Sequence, residues 1–433
     1  MAMAWYSASP ASVAAHIADR TELPSGVAAV GNVVVPLQVL PIALADSART
    51  GRVFLTAGRQ TAPYGAAVIV LDAARGQVVA TVPLTTTLSA GGGRSVAVPA
   101  NAYPGEIGVD QTSSRVFVSS TGAYLKGNSY RNGMVFTLDA TTGRVVYAAT
   151  LPVASSVSEH PVGLVVDEQT NRVFVGYANT AKLSVLDATT GRLLRTVGFG
   201  LDLIPLGVDR RNGRVVVQGT GGLITVDERT GGQPRLVPNS RYAATGLVDP
   251  ARGRALMVTG GVGSVGLLDS IDLATGKLVH FSGGIGIGPL VIDEATGRAV
   301  LYTPGDPHSS GPSFVSIVDV VTGRELGYGQ LSLGGSALHS AATAVINPAT
   351  RHALVLAEDD IFAGPIHLDV LDLNTGKILR VIRLPGSSGY APGLDIVVDV
   401  PTRRVFVATT NETVVGPDFV DHSTLTVFDG TKL

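Results

Sequence analysis

One unit of sequence recurs eight times along this chain, and a fixed period of this kind marks a protein assembled from equal parts. The third copy shows the unit. An apolar run ends at Asp167, a short turn follows, and a second run begins Arg172-Val173-Phe174-Val175. A third run ends at Asp187, followed by Ala188-Thr189-Thr190-Gly191-Arg192. Residues that end the first run of each copy are Asp46, Asp110, Asp167, Asp209, Asp249, Asp293, Asn347 and Asp399. The third runs end at Asp72, Asp139, Asp187, Asp227, Asp272, Asp319, Asp372 and Asp429. Gly76, Gly143, Gly191, Gly231, Gly276, Gly323 and Gly376 each follow such an Asp by four residues. Copies are spaced by about 40 to 64 residues, the range of propeller blades.

Runs within a copy are short, rich in Val, Ile and Phe, and bounded by turn residues, so they read as strands. Four antiparallel strands per copy make one blade. The first two runs are nearly continuous in apolar residues, as inner strands covered on both faces should be. The fourth carries Arg and Thr, as an outer edge should. In the turn from third to fourth strand, Asp187 and Thr190 are placed to hydrogen-bond turn amides, and Gly191 supplies a positive φ. Asn171 repeats that device between the first two strands. One Asp per turn, spread round a ring, cannot converge on one metal ion.

The expected fold is therefore all-β: a single β-propeller of eight four-stranded blades. Seven blades, the alternative, would leave one copy unplaced. The eighth copy stops after its third strand at Leu433, while a spare apolar run, Val27 to Leu37, precedes the first copy. That run is expected to complete the last blade and close the ring. Residues 1–26 form an N-terminal extension and residues 27–433 the propeller.

Composition sets outer limits. With 433 residues, length alone would allow two or three domains, but the repeat takes up nearly all of it. The 45% hydrophobic content supplies a core, and a net charge of −2 gives no reason to expect nucleic acid as a partner. Cysteine is absent, which excludes disulfides, thiolate metal sites and a cysteine nucleophile. No apolar stretch reaches membrane-spanning length, so no membrane span is expected. The first 20 residues lack the basic and apolar regions of a secretory signal, so no signal peptide is expected in the chain as written.

The motifs Val166-Asp167, Arg172-Val173-Phe174-Val175 and Ser184 through Arg192 resemble the YVTN family of β-propeller repeats, across roughly residues 27 to 433. The tetrapeptide itself is absent. The resemblance implies a propeller, an extracellular, periplasmic or cell-surface location, and kinship with lactonase-like enzymes and haem d1-type propellers. It does not choose a function.

In such a ring, connections entering each inner strand line the mouth of the central channel. Tyr103, His160, Tyr242 and Ser340 stand at or near the same offset before the strand-ending residue, with Glu159, Arg241 and His339 adjacent and Tyr390 slightly further out. Aromatic and polar groups at a concave mouth suit a small organic, glycan or peptide ligand. The leading expectation is a recognition or scaffold propeller with that site. The alternative is a lactonase-like hydrolase or lyase in which His160 or His339 acts as general base, with Arg241 holding an oxyanion. No nucleophile elbow, His-Glu-x-x-His or phosphate loop occurs, and the run Gly283 to Gly288 reads as a turn.

Five longer segments join second to third strands: Gly58 to Ala66, Ser119 to Gly133, Thr303 to Ser313, Glu358 to His367 and Thr409 to Ser423. Three combine carboxylates with imidazole: Asp306 with His308; Glu358, Asp359 and Asp360 with His367; Asp418 and Asp421 with His422. These carry the hard oxygens that a divalent cation takes. No other cofactor is expected. Haem would need an axial ligand such as His160 or His339, and the Trp-rich turns of quinoproteins are missing, since the one tryptophan, Trp5, precedes the ring.

Overall fold

The structure is a computed structural model. It describes residues 29–37, 40–59, 65–84, 88–90, 94–96, 103–121, 123–125, 129–131, 133–152, 161–177, 182–199, 203–219, 221–241, 243, 245–259, 266–285, 290–303, 314–330, 340–358, 365–387, 395–415 and 418–433. The expected N-terminal extension lies outside these residues.

Eight four-stranded antiparallel sheets form the blades of a propeller. The innermost strand of each blade comes first in its copy: Leu40–Ser47, Tyr103–Asp110, Pro161–Asp167, Ile204–Asp209, Thr245–Asp249, Leu290–Asp293, Ser340–Asn347 and Asp395–Asp399. Each touches the inner strand of the next blade, and the eighth touches the first, so the ring is closed. Closure is made as expected. The N-terminal strand Ala29–Leu37 pairs with Asp418–Asp429 and is the outermost strand of blade 8. Its register sets Val33 opposite Leu425 and Asn32 opposite Thr426.

The apolar runs are continuous because both faces of every blade are covered. Successive strand residues point to opposite faces, so in Arg-Val-Phe-Val the two valines and the phenylalanine serve different neighbours. Val173 and Val175 pack with Phe117 and Val135 of blade 2. Phe174, between them, packs with Val215 and Val217 of blade 4. The same division repeats at every seam, and eight buried clusters fill the eight gaps between blades. Phe54, Phe117, Phe174 and Phe406 hold equivalent places and are fully buried, each worth roughly 1.5–3 kcal/mol.

One face of the ring carries both families of turns. In the outer turn of blade 3, the amide of Thr190 donates to Asp187 Oδ1 at 2.8 Å, its hydroxyl donates to the same oxygen, and Gly191 takes φ +72°. Asn171 sits at φ +58° in the inner turn. Arg at the start of the second strand links within and between blades. Arg115 Nη1 lies 2.7 Å from Asp139 Oδ2, and its Nε donates to Thr189 O in blade 3. Gln111 N donates to Glu168 Oε1, and Asn347 Nδ2 donates to Gly430 O. Hydrogen bonds of this kind contribute about 0.5–1.5 kcal/mol each, so the apolar clusters dominate.

Three expectations need correction. In blade 1 the residue opposite Arg52 is Ser47, not Asp46, which pairs with Val53 instead. In every other blade the strand-ending Asp or Asn itself stands opposite the first residue of the second strand. Asp46 is thus one residue out of step and points to the opposite face. Secondly, the fourth strand of blade 4 shrinks to Arg235–Leu236, where the flanking Pro234 and Pro238 have no N–H to give to a ladder. Thirdly, Thr409 to Ser423 is not a loop but the end of a long hairpin, paired as far as Val415 with Asp418.

Two glycines separate backbone strain from crowding. Gly51 (φ +62°) has open space where a Cβ would sit, while a Cβ on Gly191 would lie 2.0 Å from Thr137 Oγ1. Gly51→Ala should cost about 1–2 kcal/mol from left-handed strain alone. Gly191→Ala should cost a further ~1–3 kcal/mol for the forced shift. Urea unfolding of the two variants measures the difference, and equal losses would contradict the packing of blade 3 on blade 2.

Candidate functional site

Every inner strand runs from the face carrying the longer connections to the face carrying the turns, so the strand starts surround one mouth of the channel. Tyr103 opens the inner strand of blade 2 and Ser340 that of blade 7. Blades 1 and 8 stand between them, so these two backbones are not neighbours. Arg241 precedes the inner strand of blade 5 and is exposed. Glu159, His160, Tyr242, His339 and Tyr390 lie outside the described residues, as do Asp306, His308, Asp359 and Asp360.

Below the mouth, the channel wall holds two carboxyls that the sequence reading did not single out. Counting back four residues from the residue that ends each inner strand gives, among the described residues, Ala43, Glu106, Gly163, Pro205, Thr245, Thr343 and Asp395. Five of these are small, hydroxylic or proline, and among the described residues blades 2 and 8 alone place a carboxyl there. Leu44 N of blade 1 donates to Asp395 Oδ2 at 2.5 Å. An innermost strand has no partner on its far side, so an N–H given to a side chain there faces the channel. Asp395 Oδ1 accepts from Ile396 N at 2.8 Å. Burial, with a smaller push from the charge of Glu106, raises Asp395 to about 6 against those two bonds.

Glu106 keeps contact with water, yet desolvation by the surrounding protein raises it too. A side chain in a narrow wet channel combines those properties: water reaches it, but bulk solvent does not surround it. The register signal was present in the sequence. It was hidden because each carboxyl is a single departure in one copy.

Other chemistry lies elsewhere. His367 is not in a loop. It is buried in the third strand of blade 7, opposite Ala357, with Nε2 at 3.7 Å from Asp369 Oδ2. Asp418, Asp421 and His422 belong to the blade 8 hairpin, where His422 stands opposite Asn411. No group of three His, Asp or Glu able to hold a metal occurs among the described residues. His280 Nδ1 lies 2.6 Å from Asp269 Oδ1 on the outer half of blade 5, away from the channel. An open depression of about 570 Å3 on the turn face, between blades 7 and 8, is lined by Pro348, Thr350, Pro401 and Arg403 among others, with no carboxyl or imidazole.

Comparisons with known proteins support the fold. Solved structures with a similar backbone include BamB from Moraxella catarrhalis, at TM-score 0.52 and 15% identity, covering 92% of this chain and 99% of that one. Dihydro-heme d1 dehydrogenase NirN, in complex with DHE, matches at TM-score 0.53 and 15% identity over 92% and 76%. The Dos1 propeller matches at TM-score 0.55 and 10% identity over 92% and 93%. At such identities the fold alone is shared. No family model matches the chain, so nothing here ties it to the YVTN repeat in particular. No curated protein matches it either. No helix among the described residues is long and apolar enough to cross a membrane.

The raised Asp395 carboxyl makes stability depend on pH with a definite sign. The folded protein holds this proton more tightly than the unfolded chain, so the contribution is complete below 3.8 and is lost as pH rises through about 6. Between pH 4 and 7.5 the wild type should lose up to about 3 kcal/mol relative to Asp395→Asn, at about 1.4 kcal/mol per pKa unit. Urea unfolding at both pH values checks this. Parallel pH curves would contradict it.

Proposed function

We propose that this protein is a recognition or scaffold propeller of the YVTN type, working outside the cytoplasm, that holds a small organic, glycan or peptide ligand at the channel mouth. One observation carries the reading: Glu106, within the inner strand that Tyr103 opens, and Asp395, which opens the inner strand of blade 8, stand in the channel wall. Two carboxyls that share a partly desolvated lumen favour a ligand offering a cationic group or several hydroxyls. Division of labour between the faces also supports it. Short tied turns occupy one face, and the longer, unlike connections occupy the other, where a rigid scaffold carries specificity. Resemblance to the YVTN repeat is the support for an extracytoplasmic location.

Isothermal titration against amino sugars, neutral oligosaccharides and lysine-bearing peptides tests the reading. At least one class should bind, and Glu106→Gln should weaken it roughly tenfold or more, the scale of one lost charge-assisted hydrogen bond. Binding that is equal in wild type and Glu106→Gln would remove the channel wall from the reading. Silence across the panel would remove the ligand classes.

A second reading, a lactonase-like hydrolase or lyase, draws on the same carboxyl. A group with a pKa near 6 suits proton transfer near neutrality. Turnover of lactones that is lost in Asp395→Asn would put this reading in place of the first.

A further inference from the structure

The seam between blades 8 and 1 differs from the seven others in the chemistry of its inner strands. At the place held by Asp46, the other inner strands carry Val109, Val166, Val208, Val248, Ile292, Ile346 and Val398. These side chains face the preceding blade: a Cβ on Gly108 would meet Val166, and one on Gly207 would meet Val248. Asp46 therefore faces blade 8. There stands Asp399, fully buried, whose Oδ2 accepts from the amide and hydroxyl of Thr402 while Oδ1 has no hydrogen-bond partner. Burial, and then the charge of Asp399, push Asp46 up to about 6.

We propose that the seam between blades 8 and 1 is a pH-sensitive joint, in which a proton on Asp46 keeps its side chain uncharged against blade 8 and its loss loosens this seam alone. While it holds its proton, Asp46 sits uncharged at a place that aliphatic side chains fill at the other seams. Once the proton leaves, a carboxylate stands at the seam facing the buried Asp399. The charged groups on the surrounding elements are otherwise engaged. Arg52 pairs with Asp72, Asp429 with Lys432, and Asp110 with its own turn. Arg404 reaches towards Gly76 in the outer turn of blade 1. Glu106 and Asp395 add negative charge higher on the same channel wall. Arg49 is turned to the carbonyls of Gln111 and Thr112. Because Leu44 N crosses this seam to Asp395, loosening it also frees the channel wall. The joint goes beyond the ligand reading and stands whether or not a ligand is found.

Hydrogen exchange of the full chain tests this at pH 5.0 and 7.5, with rates corrected for intrinsic pH dependence. Segments 40–47 and 395–399 should lose protection roughly tenfold or more at the higher pH, at tenfold per pKa unit. Segments 161–167 and 204–209, at the seam between blades 3 and 4, should not change. Asp399→Asn places at blade 8 the residue that Asn347 already supplies in blade 7; made together with Asp395→Asn, which removes the separate pH dependence of Asp395, it should abolish the difference that Asp395→Asn alone leaves. Asp46→Val, again with Asp395→Asn, restores the aliphatic residue of the other copies and should do the same, which guards against misfolding of either variant. Protection that is unchanged at segments 40–47 and 395–399, or lost equally round the ring, would overturn the joint.

Discussion

A ring has no ends, but a polypeptide has two, and the pairing of Ala29–Leu37 with Asp418–Asp429 reconciles them. Everything else in the structure depends on that ladder. Without it, blade 8 has three strands and an open edge, and the cluster joining Phe406, Leu425 and Val427 to Val53 and Leu55 loses its outer cover. With no cysteine in the chain, closure rests on backbone hydrogen bonds and apolar contact. The seam that this ladder closes is also where Asp46, Asp395 and Asp399 gather.

Burial on both faces explains why the repeat is so uniform. A blade in a sandwich could alternate apolar and polar residues, but a blade between two neighbours cannot. Position by position, Val serves one neighbour and Phe the other, so a polar substitution in a second strand would damage one of two seams. Turn residues are fixed for another reason. Asp, Thr and Gly saturate the amides of a tight bend and also touch the next blade, as Ser113 does in donating to Ala188 O. Freedom to vary is left to the other face and to the ends of the inner strands.

Features that repeat were legible in the sequence. Eight copies, the missing fourth strand and the spare N-terminal run together predicted the closure, and Gly191 and Asn171 predicted the turn geometry. Features present once were harder. Asp46 resembled its counterparts in other copies, and only pairing shows that Ser47 holds the turn position. The segment Thr409 to Ser423 read as a loop because it exceeds the usual strand length, although Thr413, Val414 and Val415 favour the strand that forms. His367 was grouped with loop carboxylates by proximity in sequence, whereas strand pairing buries it. Of the candidate site, Tyr103, Ser340 and Arg241 are placed, and the more telling groups prove to be Glu106 and Asp395.

Closure is tested most directly by cross-linking across it. The chain is free of native cysteine, so Val33→Cys with Leu425→Cys, and separately Asn32→Cys with Thr426→Cys, introduce one possible disulfide each. These are consecutive antiparallel pairs, so one of them is the close, non-hydrogen-bonded kind, and both fall within disulfide reach. The account predicts that at least one pair oxidises within the chain and raises the thermal midpoint. Formation of intermolecular links alone, or of none in either pair, would contradict it.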